Sequence, residues 1–511
     1  MPIIHGKLPK YPATLWAHFY QLTQIPRATG QEEQVRAYIQ AIANQYELPW
    51  RTDTVGNLVV FLRGSGRQED AEPLLVQNHL DVVIAAKNKK FDYLNERLEV
   101  FSAEGWVGAE DINVGAENGI GCAIALALIT EEPENHPPFE LLFTVSKEDG
   151  LKGVKEIDVE ALCISAKRLL NLDTNEWGSI YIGSAGRKEF VFSQEDSIEP
   201  AEPNTFCYEI KVNNFSGGHS GLDIHRKRQS AIRFLVKLLS ALKEDFSLVQ
   251  FSGGEAHNAI PRSASAIIHI HKENDDLYSA VKDYFLTVKK SFSPEDKGAR
   301  FYIEHYEPSL DLKGLKAIHT RLWLKRALYL PHGVLHWYQQ SSMGALVSCS
   351  SNLANLQFEK GKTTGLMSLR FTQDSDLKLI DEKVADVASM DFKVLPFGGY
   401  PHWKMNKEGS QFKKISKIYR KRFGRVMEVK TVHARLEPSV LSEKIPGLND
   451  IVSIGMTIED GRLPTECVSV LSVRNLWKLL VAYFATKDWE YKESNDEDED
   501  NDKDILSIDS K

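Results

Sequence analysis

One stretch of the sequence, residues 74–173, contains four polar segments that decide the fold: His79-Leu80-Asp81, Gly115-Ala116-Glu117-Asn118-Gly119-Ile120-Gly121, Ser146-Lys147-Glu148-Asp149-Gly150 and Asn171-Leu172-Asp173. Three of them come at or after the ends of apolar runs at residues 74–77, 140–145 and 168–172, which are predicted to be strands. In an open α/β sheet, ligands bind outside the carboxyl ends of the strands. A histidine and several carboxylates brought to that edge predict a divalent-metal site.

The order and flanking residues of these segments resemble the M20 family of two-metal peptidases, and most closely the aminoacyl-histidine (Xaa-His) dipeptidases. The resemblance covers residues 15–485. It implies an α/β fold of the M20 type, in which a catalytic α/β domain carries an inserted α/β lid domain made of two related halves. The predicted boundaries are 1–200 for the first half of the catalytic domain, 201–395 for the lid or dimerisation-type domain, 396–488 for the second half of the catalytic domain, and 489–511 for an acidic disordered tail.

The resemblance also implies two divalent metal ions, zinc or manganese, and a small peptide-like ligand. The residues that stand at the family's metal-ligand positions are His79, Glu117, Glu148 and Asp173. Asp81 matches the carboxylate that orients the first histidine, where it can accept the other ring N–H and fix the tautomer.

Three positions of this chain depart from the family pattern. The bridging aspartate is replaced by Glu117, the glutamate that acts as general base by Lys147, and the late histidine ligand by Arg462. A general base must accept a proton from the attacking water, whereas an ammonium offers three donors and no acceptor. We therefore expect two-metal peptide hydrolysis to be lost or strongly impaired, with the chain retained for binding or regulation and the metal site incomplete.

Two other interpretations of the sequence stay open. The first is an active metal-dependent dipeptidase that cleaves Xaa-His or similar dipeptides through an unusual site. The second is a structural role, for instance as a subunit that dimerises with an active relative. A homodimer is also compatible with the family resemblance.

Two of the three replaced positions, 147 and 462, carry permanent cations. Unpaired buried carboxylates are too costly to leave together. We therefore expect the Lys147 ammonium and the Arg462 guanidinium to substitute for the metal charge in an internal salt-bridge cluster, a role that suits the two-pronged guanidinium. The alternative is drift after loss of function, with both side chains pointing into solvent.

Three later motifs also resemble family motifs and are interpreted as substrate-side loops. Gly217-Gly218-His219-Ser220-Gly221 matches a family motif whose histidine, here His219, would polarise the scissile carbonyl. Asn258-Ala259-Ile260-Pro261-Arg262 matches the family's substrate loop, which makes Asn258 and Arg262 ligand contacts, and His257 stands where the family usually has arginine. His433-Ala434-Arg435-Leu436-Glu437 resembles a third motif, and His433 is predicted to lie on the substrate side.

Composition and charge exclude several classes of partner. The net charge is −9 without a basic block, which argues against nucleic acid. No apolar run approaches the roughly 18 residues that span a bilayer, and the first residues lack the apolar core of a signal peptide. No membrane partner and a cytoplasmic location are therefore expected. The 5 cysteines lie far apart without a Cys-x-x-Cys pair, so neither a disulfide framework nor a zinc knuckle is predicted.

The segment before the first polar motif contains a helix-start pattern. Thr29 followed by Glu32 predicts a capping box that opens a helix over residues 31–44. The surrounding segment, residues 25–32, is interpreted as a packing element.

Overall fold

A computed structural model of the chain describes residues 8–87, 92–93, 95–200, 205–271, 274–307, 313–340, 344–433 and 436–486. The predicted acidic tail, residues 489–511, lies outside the described residues. The helices are α1 (Ala13–Thr23), α2 (Glu33–Gln45), α3 (Ala116–Thr130), α4 (Lys152–Lys155), α5 (Ala231–Ala241), α6 (Asn274–Lys289), α7 (Ala317–Tyr329), α8 (Asp374–Ala388), α9 (Ser410–Phe423), α10 (Glu437–Lys444) and α11 (Val470–Ala485).

The strands are β1 (Trp50–Thr52), β2 (Leu58–Leu62), β3 (Leu74–His79), β4 (Val100–Ala103), β5 (Trp106–Ala109), β6 (Phe139–Thr144), β7 (Arg168–Thr174), β8 (Ser179–Ser184), β9 (Gly186–Glu195), β10 (Glu199–Pro200), β11 (Phe206–Asn213), β12 (Phe246–Gly253), β13 (Ala264–Ile270), β14 (Arg300–His305), β15 (Lys313–Gly314), β16 (Gly333–Gln340), β17 (Gly344–Glu359), β18 (Lys362–Phe371), β19 (Lys393–Tyr400), β20 (Glu428–Val432), β21 (Asp450–Gly455), β22 (Ile458–Glu459) and β23 (Cys467–Ser469).

The chain divides into two compact units. The first unit comprises Met1–Gly183, Met405–Thr431 and Leu436–Lys511, and the second comprises Ser184–Lys404 and Val432–Arg435. The domain boundaries predicted from the sequence, at residues 200, 395 and 488, stay a prediction. No helix among the described residues combines the length and the apolar character needed to cross a membrane.

The first unit is built on a mixed sheet with the strand order β1-β2-β6-β3-β7-β21-β8-β20. Its centre is parallel, because β3 pairs in parallel with both β6 and β7, and β7 pairs in parallel with β21. All residues of β3 and β6 are buried, as expected for strands covered on both faces. Helix α3, which is apolar and almost wholly buried, contacts β3 and β7 and completes this core.

The second unit is built on an antiparallel sheet with the order β14-β11-β13-β12-β17-β18-β9-β19, to which β16 adds by pairing with β17. The elements β11-α5-β12-β13-α6-β14 form a βαββαβ half whose strands lie in the order 4-1-3-2. The second half, β9-α7-β17-β18-α8-β19, repeats this order, and the first half is inserted after its strand β9. Strands β12 and β17 join the two halves. The predicted lid of two related α/β halves is therefore confirmed.

Candidate functional site

The parallel strands of the first unit bring the predicted metal-site residues to one edge of the sheet. Strand β3 ends at His79, and Asp173 is the last residue but one of strand β7. Lys147 follows the end of β6 by three residues. Because β6, β3 and β7 are parallel neighbours, their carboxyl ends meet, and the predicted convergence of these segments is confirmed.

The Lys147 ammonium lies at the centre of this group. Its Nζ is 3.0 Å from Glu117 Oε1, 3.0 Å from Glu148 Oε1 and 3.2 Å from Asp173 Oδ2. His79 Nε2 is 3.2 Å away from the same Nζ. Burial lowers the pKa of Lys147, but the three carboxylates outweigh burial and raise the pKa above its ordinary value. The side chain is therefore a permanent cation.

Arg462 closes the same group from the segment that follows β22. Its Nη2 lies 2.8 Å from Glu117 Oε1 and 2.7 Å from Glu148 Oε1, so one guanidinium nitrogen bridges two carboxylates. The side chain is about half exposed, whereas that of Lys147 is buried. The predicted ion pairs of both cations are confirmed, and the alternative in which both side chains point into solvent is wrong.

His79 is held between two aspartates. Its Nδ1 lies 3.2 Å from Asp81 Oδ1, and its Nε2 lies 3.3 Å from Asp173 Oδ1. Burial and the charge of Lys147 lower the pKa of His79, but Asp173 and Asp81 outweigh both and raise the pKa to about 10. The predicted contact between Asp81 and the ring of His79 is confirmed.

Burial raises the pKa of Asp81, Glu117 and Asp173, and the cationic neighbours of these three carboxyl groups reverse the effect. Lys147 and Arg462 hold the pKa of Glu117 well below its usual range. Lys147 and His79 do the same for Asp173. The pKa of Asp81 is lowered chiefly through its hydrogen bond with His79. We call His79, Asp81, Glu117, Lys147, Glu148, Asp173 and Arg462 the charge cluster.

Part of the charge cluster offers a donor set for a metal ion. Ligand atoms of His79, Glu117 and Asp173 lie within 4.8 Å of one another. Glu117 stands in the first turn of α3, where it has non-helical backbone angles, and its Oε2 also accepts a hydrogen bond from Asn175 at 2.9 Å. The ligand roles predicted for Glu148 and the other residues stay a prediction.

Two residues that were assigned to a capping box instead hold the charge cluster in place. Helix α2 begins at Glu33, and no side chain caps it, so the capping box is wrong. The Thr29 hydroxyl donates to Asp81 Oδ2 at 3.0 Å. Glu32 Oε1 accepts the backbone N–H groups of Ser146 and Gly30 at 2.8 and 3.1 Å. These tertiary partners compete successfully with the helix N-terminus for both side chains.

Asp81 has a second function in this arrangement. Its two carboxylate oxygens accept the backbone N–H groups of Lys147 and Glu148 at 3.0 and 2.9 Å. The same carboxylate therefore orients the ring of His79 and fixes the turn that carries Lys147. The sequence signal for this function was the His-x-Asp spacing, but its partners lie 66 and 67 residues away.

A buried polar network lies on the same strands as the charge cluster, and sequence reasoning missed it. Gln77 of β3 and Thr144 of β6 donate to the carboxylate of Glu437 at 2.6 and 2.8 Å. Asn171 of β7 donates to Gln77 at 2.6 Å, and Ser453 of β21 donates to Asn171. Four parallel strands each contribute one side chain. Glu437 is fully buried at the start of α10.

Glu437 differs from the carboxylates of the charge cluster because no cation within the described residues forms an ion pair with it. Burial is the largest influence and raises the pKa of Glu437 to about 7. The charges of His79 and Lys147 oppose this rise, and that of Asp173 adds to it.

In the second unit, His219 is fixed in one tautomer. Its Nδ1 accepts the backbone N–H groups of Gly221 and Leu222 at 3.2 and 3.1 Å, while its own backbone N–H donates to Asp223. Burial, and then the charge of Arg370, lower the pKa of His219 to about 4. The ring is neutral at pH 7 with its proton on Nε2, which leaves Nε2 as a donor.

His433 is also neutral. Burial, followed by the charge of Arg370, lowers its pKa to about 3. Its Nε2 lies 2.8 Å from the hydroxyl of Ser350, and its Nδ1 is buried without a hydrogen-bond partner among the described residues. The predicted substrate-side role of His433 stays a prediction.

The predicted substrate loop contributes backbone and side-chain contacts within the second unit. The carbonyl of Asn258 accepts the backbone N–H of Ser220 at 2.8 Å, which ties this loop to the His219 turn. Arg262 is exposed, and its Nε donates to the carbonyl of Phe215 at 3.3 Å. The substrate contacts predicted for Asn258 and Arg262 stay a prediction.

His257 is paired with an acid that sequence reasoning did not identify. Its Nδ1 lies 3.0 Å from Oε1 of Glu189, a buried residue of β9. Arg187, two residues earlier on the same strand, lies 3.3 Å from Glu189 Oε2 and 3.5 Å from His257 Nδ1. Neither Arg187 nor Glu189 belongs to a recognisable motif, and only the strand register brings them to the loop.

Comparisons with known proteins agree with this architecture. The M20 peptidase dimerisation domain family matches residues 210–296, which lie in the first half of the second unit. The chain is 28% identical over 474 residues to the cytosol non-specific dipeptidase of Escherichia coli (strain K12), across 92% of this chain and 96% of that protein. It is 26% identical to the crystal structure of aminoacylhistidine dipeptidase from Vibrio alginolyticus, with a TM-score of 0.82, covering 94% of this chain and 98% of the other. The predicted fold class is confirmed.

Proposed function

We propose that this chain is an M20-family, dipeptidase-like protein that binds a small peptide-like ligand and in which two-metal peptide hydrolysis is lost or strongly impaired. The observation that carries the proposal is the position of the Lys147 ammonium, 3.0–3.2 Å from atoms of Glu117, Glu148, Asp173 and His79. These are the residues that the family resemblance assigns to the metals.

The residues present do not fit two divalent cations in this arrangement. Zinc binds carboxylate oxygen and imidazole nitrogen at about 2.0–2.2 Å. An ion at that distance from the same atoms would lie against the Lys147 ammonium, which already occupies the space between them.

The position of the general base gives the second line of support. Lys147 has its pKa raised by three carboxylates, so it stays an ammonium, and an ammonium accepts no proton. Loss of a positioned base lowers the rate by about 10²–10⁴. The proposed loss of hydrolysis therefore does not depend on the metal alone.

The second unit supports retained ligand binding. His219 presents a neutral Nε2–H donor, which can hydrogen-bond a peptide carbonyl without any metal. The charge of Arg370 lowers the pKa of both His219 and His433, so the three side chains lie near one another. Binding of a peptide needs these donors but does not need a general base.

The alternative function is an active metal-dependent dipeptidase that cleaves Xaa-His or similar dipeptides. The names of the two relatives favour it, and so does the compact donor set of His79, Glu117 and Asp173. This alternative requires Lys147 and Arg462 to leave their carboxylate partners so that metal can enter. It would make the family's zinc or manganese a true cofactor of this chain.

Metal content and turnover, measured on the same purified full chain, separate these two functions. We expect the protein to contain less than one equivalent of zinc or manganese after exposure to either metal. We also expect no chelator-sensitive hydrolysis of Xaa-His dipeptides. The variant Lys147→Glu is the matched comparison, and it should take up more metal than the parent because it replaces the occupying cation with an additional carboxylate. Two bound metal ions with chelator-sensitive turnover in the parent would overturn the proposal.

Two further properties follow from the comparisons as proposals. The match to a dimerisation domain supports a homodimer, which light scattering on the full chain would test. The relative from Escherichia coli is named as a cytosolic protein, which supports a cytoplasmic location for this chain.

A further inference from the structure

Helix α9 of the first unit lies in a strongly basic part of the chain. Residues 413–425 contain seven lysine and arginine residues and no acidic residue. The net charge of −9 conceals this segment, and the expectation from composition that the chain lacks a basic block is wrong here. A block of like charges is a surface for a partner of opposite charge, so the partner of this one can be sought by its chemistry.

Most of these cations lie on one side of α9. Four of them are spaced i, i+4, i+7 and i+8, which is the spacing of a single helix face. We call these four residues the basic face: Lys413, Lys417, Arg420 and Lys421. Ile415 and Tyr419 point the other way and are buried in the core of the unit. Lys417 is half-buried, and the other three residues of the basic face are exposed.

The described acidic residues near the basic face include Glu408, which pairs with Lys413 at 2.5 Å. Lys421 forms no ion pair with any acidic residue among those that the structure describes, and the same holds for Arg425 just beyond the helix. A single exposed lysine without a partner is ordinary. Seven like charges within residues 413–425 instead repel one another and attract an anionic segment.

The chain itself contains such an anionic segment. Residues 488–504 include ten acidic residues and two lysines. They lie outside the described residues, and they follow α11, which ends at Ala485. A run of this composition is commonly solvated when nothing of opposite charge lies within its reach. The position at which α11 ends therefore decides between a solvated run and a docked one.

The last turn of α11 lies against α9. The Tyr483 hydroxyl donates to Oε1 of Gln411 at 2.8 Å. Nζ of Lys414 lies 4.7 Å from the centroid of the Tyr483 ring. Both partners of Tyr483 belong to the first two turns of α9, so the acidic run begins beside the start of the basic face.

The distance along the basic face is short compared with the length of the acidic run. From Lys413 to Lys421, α9 rises about 12 Å, at 1.5 Å per residue. An extended chain advances 3.3–3.6 Å per residue and covers that distance in about four residues. Tethering also gives the run a local concentration of the order of mM, at which several weak ion pairs suffice for binding. We propose that residues 488–504 bind along the basic face of α9 in the same chain.

Cross-linking of the full chain with a carbodiimide tests this contact, because the reagent joins a lysine amine directly to a carboxylate that touches it. Peptide mass spectrometry of the monomer band should identify Lys417 or Lys421 joined to an acidic residue of 488–504. The cross-link between Lys413 and Glu408 is the internal standard, since their side chains already form an ion pair. A cross-link in the monomer band is formed within one chain.

Arg420→Glu should lower the yield of the proposed cross-links at least about threefold relative to the standard, since it replaces an attraction with a repulsion. Arg474→Glu is the matched control, because Arg474 is an exposed arginine near the start of α11, at the end remote from Tyr483. It should leave the yield unchanged.

Three results would overturn the proposal: no cross-link from the basic face to residues 488–504, such cross-links only in a covalent dimer, or equal yields in the two variants. The second of these would assign the acidic run to the basic face of another copy. The proposed loss of hydrolysis and retention of peptide binding are measured separately and do not depend on the outcome.

Discussion

Both units of this protein bury cations, but they treat those cations differently. In the charge cluster of the first unit, Lys147 is surrounded by three carboxylates, and Arg462 bridges two of them. On strands β9 and β18 of the second unit, Arg187 has one acidic partner and Arg370 donates only to a neutral hydroxyl among the described residues. A group whose charges are matched internally stabilises the fold, whereas one with unmatched charge is suited to a ligand.

The largest test of this contrast is removal of the central cation from the charge cluster. Lys147→Met should lower the free energy of unfolding by about 3–5 kcal/mol, because it leaves buried carboxylates without their partner. Denaturant unfolding of parent and variant measures the difference. Lys87→Met is the control, since Lys87 pairs with Asp111 on an exposed surface and should cost about 0–1 kcal/mol.

Zinc distinguishes the two explanations for a loss of stability in Lys147→Met. If Lys147 merely substitutes for metal charge in a site that still accepts metal, added zinc should restore the stability of this variant. We expect no restoration, because the Arg462 guanidinium still bridges the carboxylates of Glu117 and Glu148 in this variant. A variant that unfolds like the parent would show that the cluster is not a stabilising unit.

The second test concerns a carboxyl group of the first unit that lacks a cation. The pKa of Glu437 is raised from 4.5 to about 7, chiefly by burial. A raised folded-state pKa gives stability that is present below pH 4.5 and lost as pH rises through about 7. At 1.36 kcal/mol per pH unit, the loss is about 3 kcal/mol.

Glu437→Gln removes this titration and keeps an acceptor for Thr144. Its stability relative to the parent should therefore rise by about 3 kcal/mol between pH 4.5 and pH 8. Unfolding midpoints of the two proteins across that range give the measurement. A pH-independent difference would mean that Glu437 is ionised throughout and that its two donors, from Gln77 and Thr144, satisfy it as an anion.

The part of the site that could be predicted from the sequence consists of residues at the ends of strands. His79, Lys147 and Asp173 could be placed together because each lies at or just after the carboxyl end of a parallel strand, and a parallel sheet brings those ends to one edge. The cationic character of positions 147 and 462 then predicted their ion pairs. These inferences needed only local patterns and the charge of each residue.

The rest depended on partners distant in the sequence. Thr29 and Glu32 fit a local capping pattern, yet they bond Asp81 and Ser146, which lie 52 and 114 residues away. The pairing of Gln77 with Glu437 joins residues 360 apart. Likewise, Arg187 and Arg370 carry no motif, and only the antiparallel register of β9 and β18 places them in one row. Local patterns cannot specify such contacts.

The smallest expected effect comes from replacing a buried cation of the second unit, Arg370, with methionine, as was done for Lys147 in the first test. Arg370→Met should leave the free energy of unfolding unchanged or raise it by about 1 kcal/mol, although Arg370 is at least as buried as Lys147. Burial lowers the pKa of Arg370, and neighbouring Arg187 adds to this, so the folded protein disfavours the cation. Replacing an incompletely paired buried charge with an apolar side chain is often neutral or stabilising.

Arg233→Met is the control for Arg370→Met, because Arg233 is a part-buried arginine of the same unit whose Nη1 donates to the carbonyls of Ala327, Leu328 and Leu330. Removing it leaves those acceptors without a donor and should cost about 1–3 kcal/mol. Denaturant unfolding of both variants decides whether Arg370 stabilises the fold. If Arg370→Met destabilises as much as Arg233→Met, Arg370 stabilises the fold in the manner of the charge cluster, and its unmatched charge does not indicate a ligand.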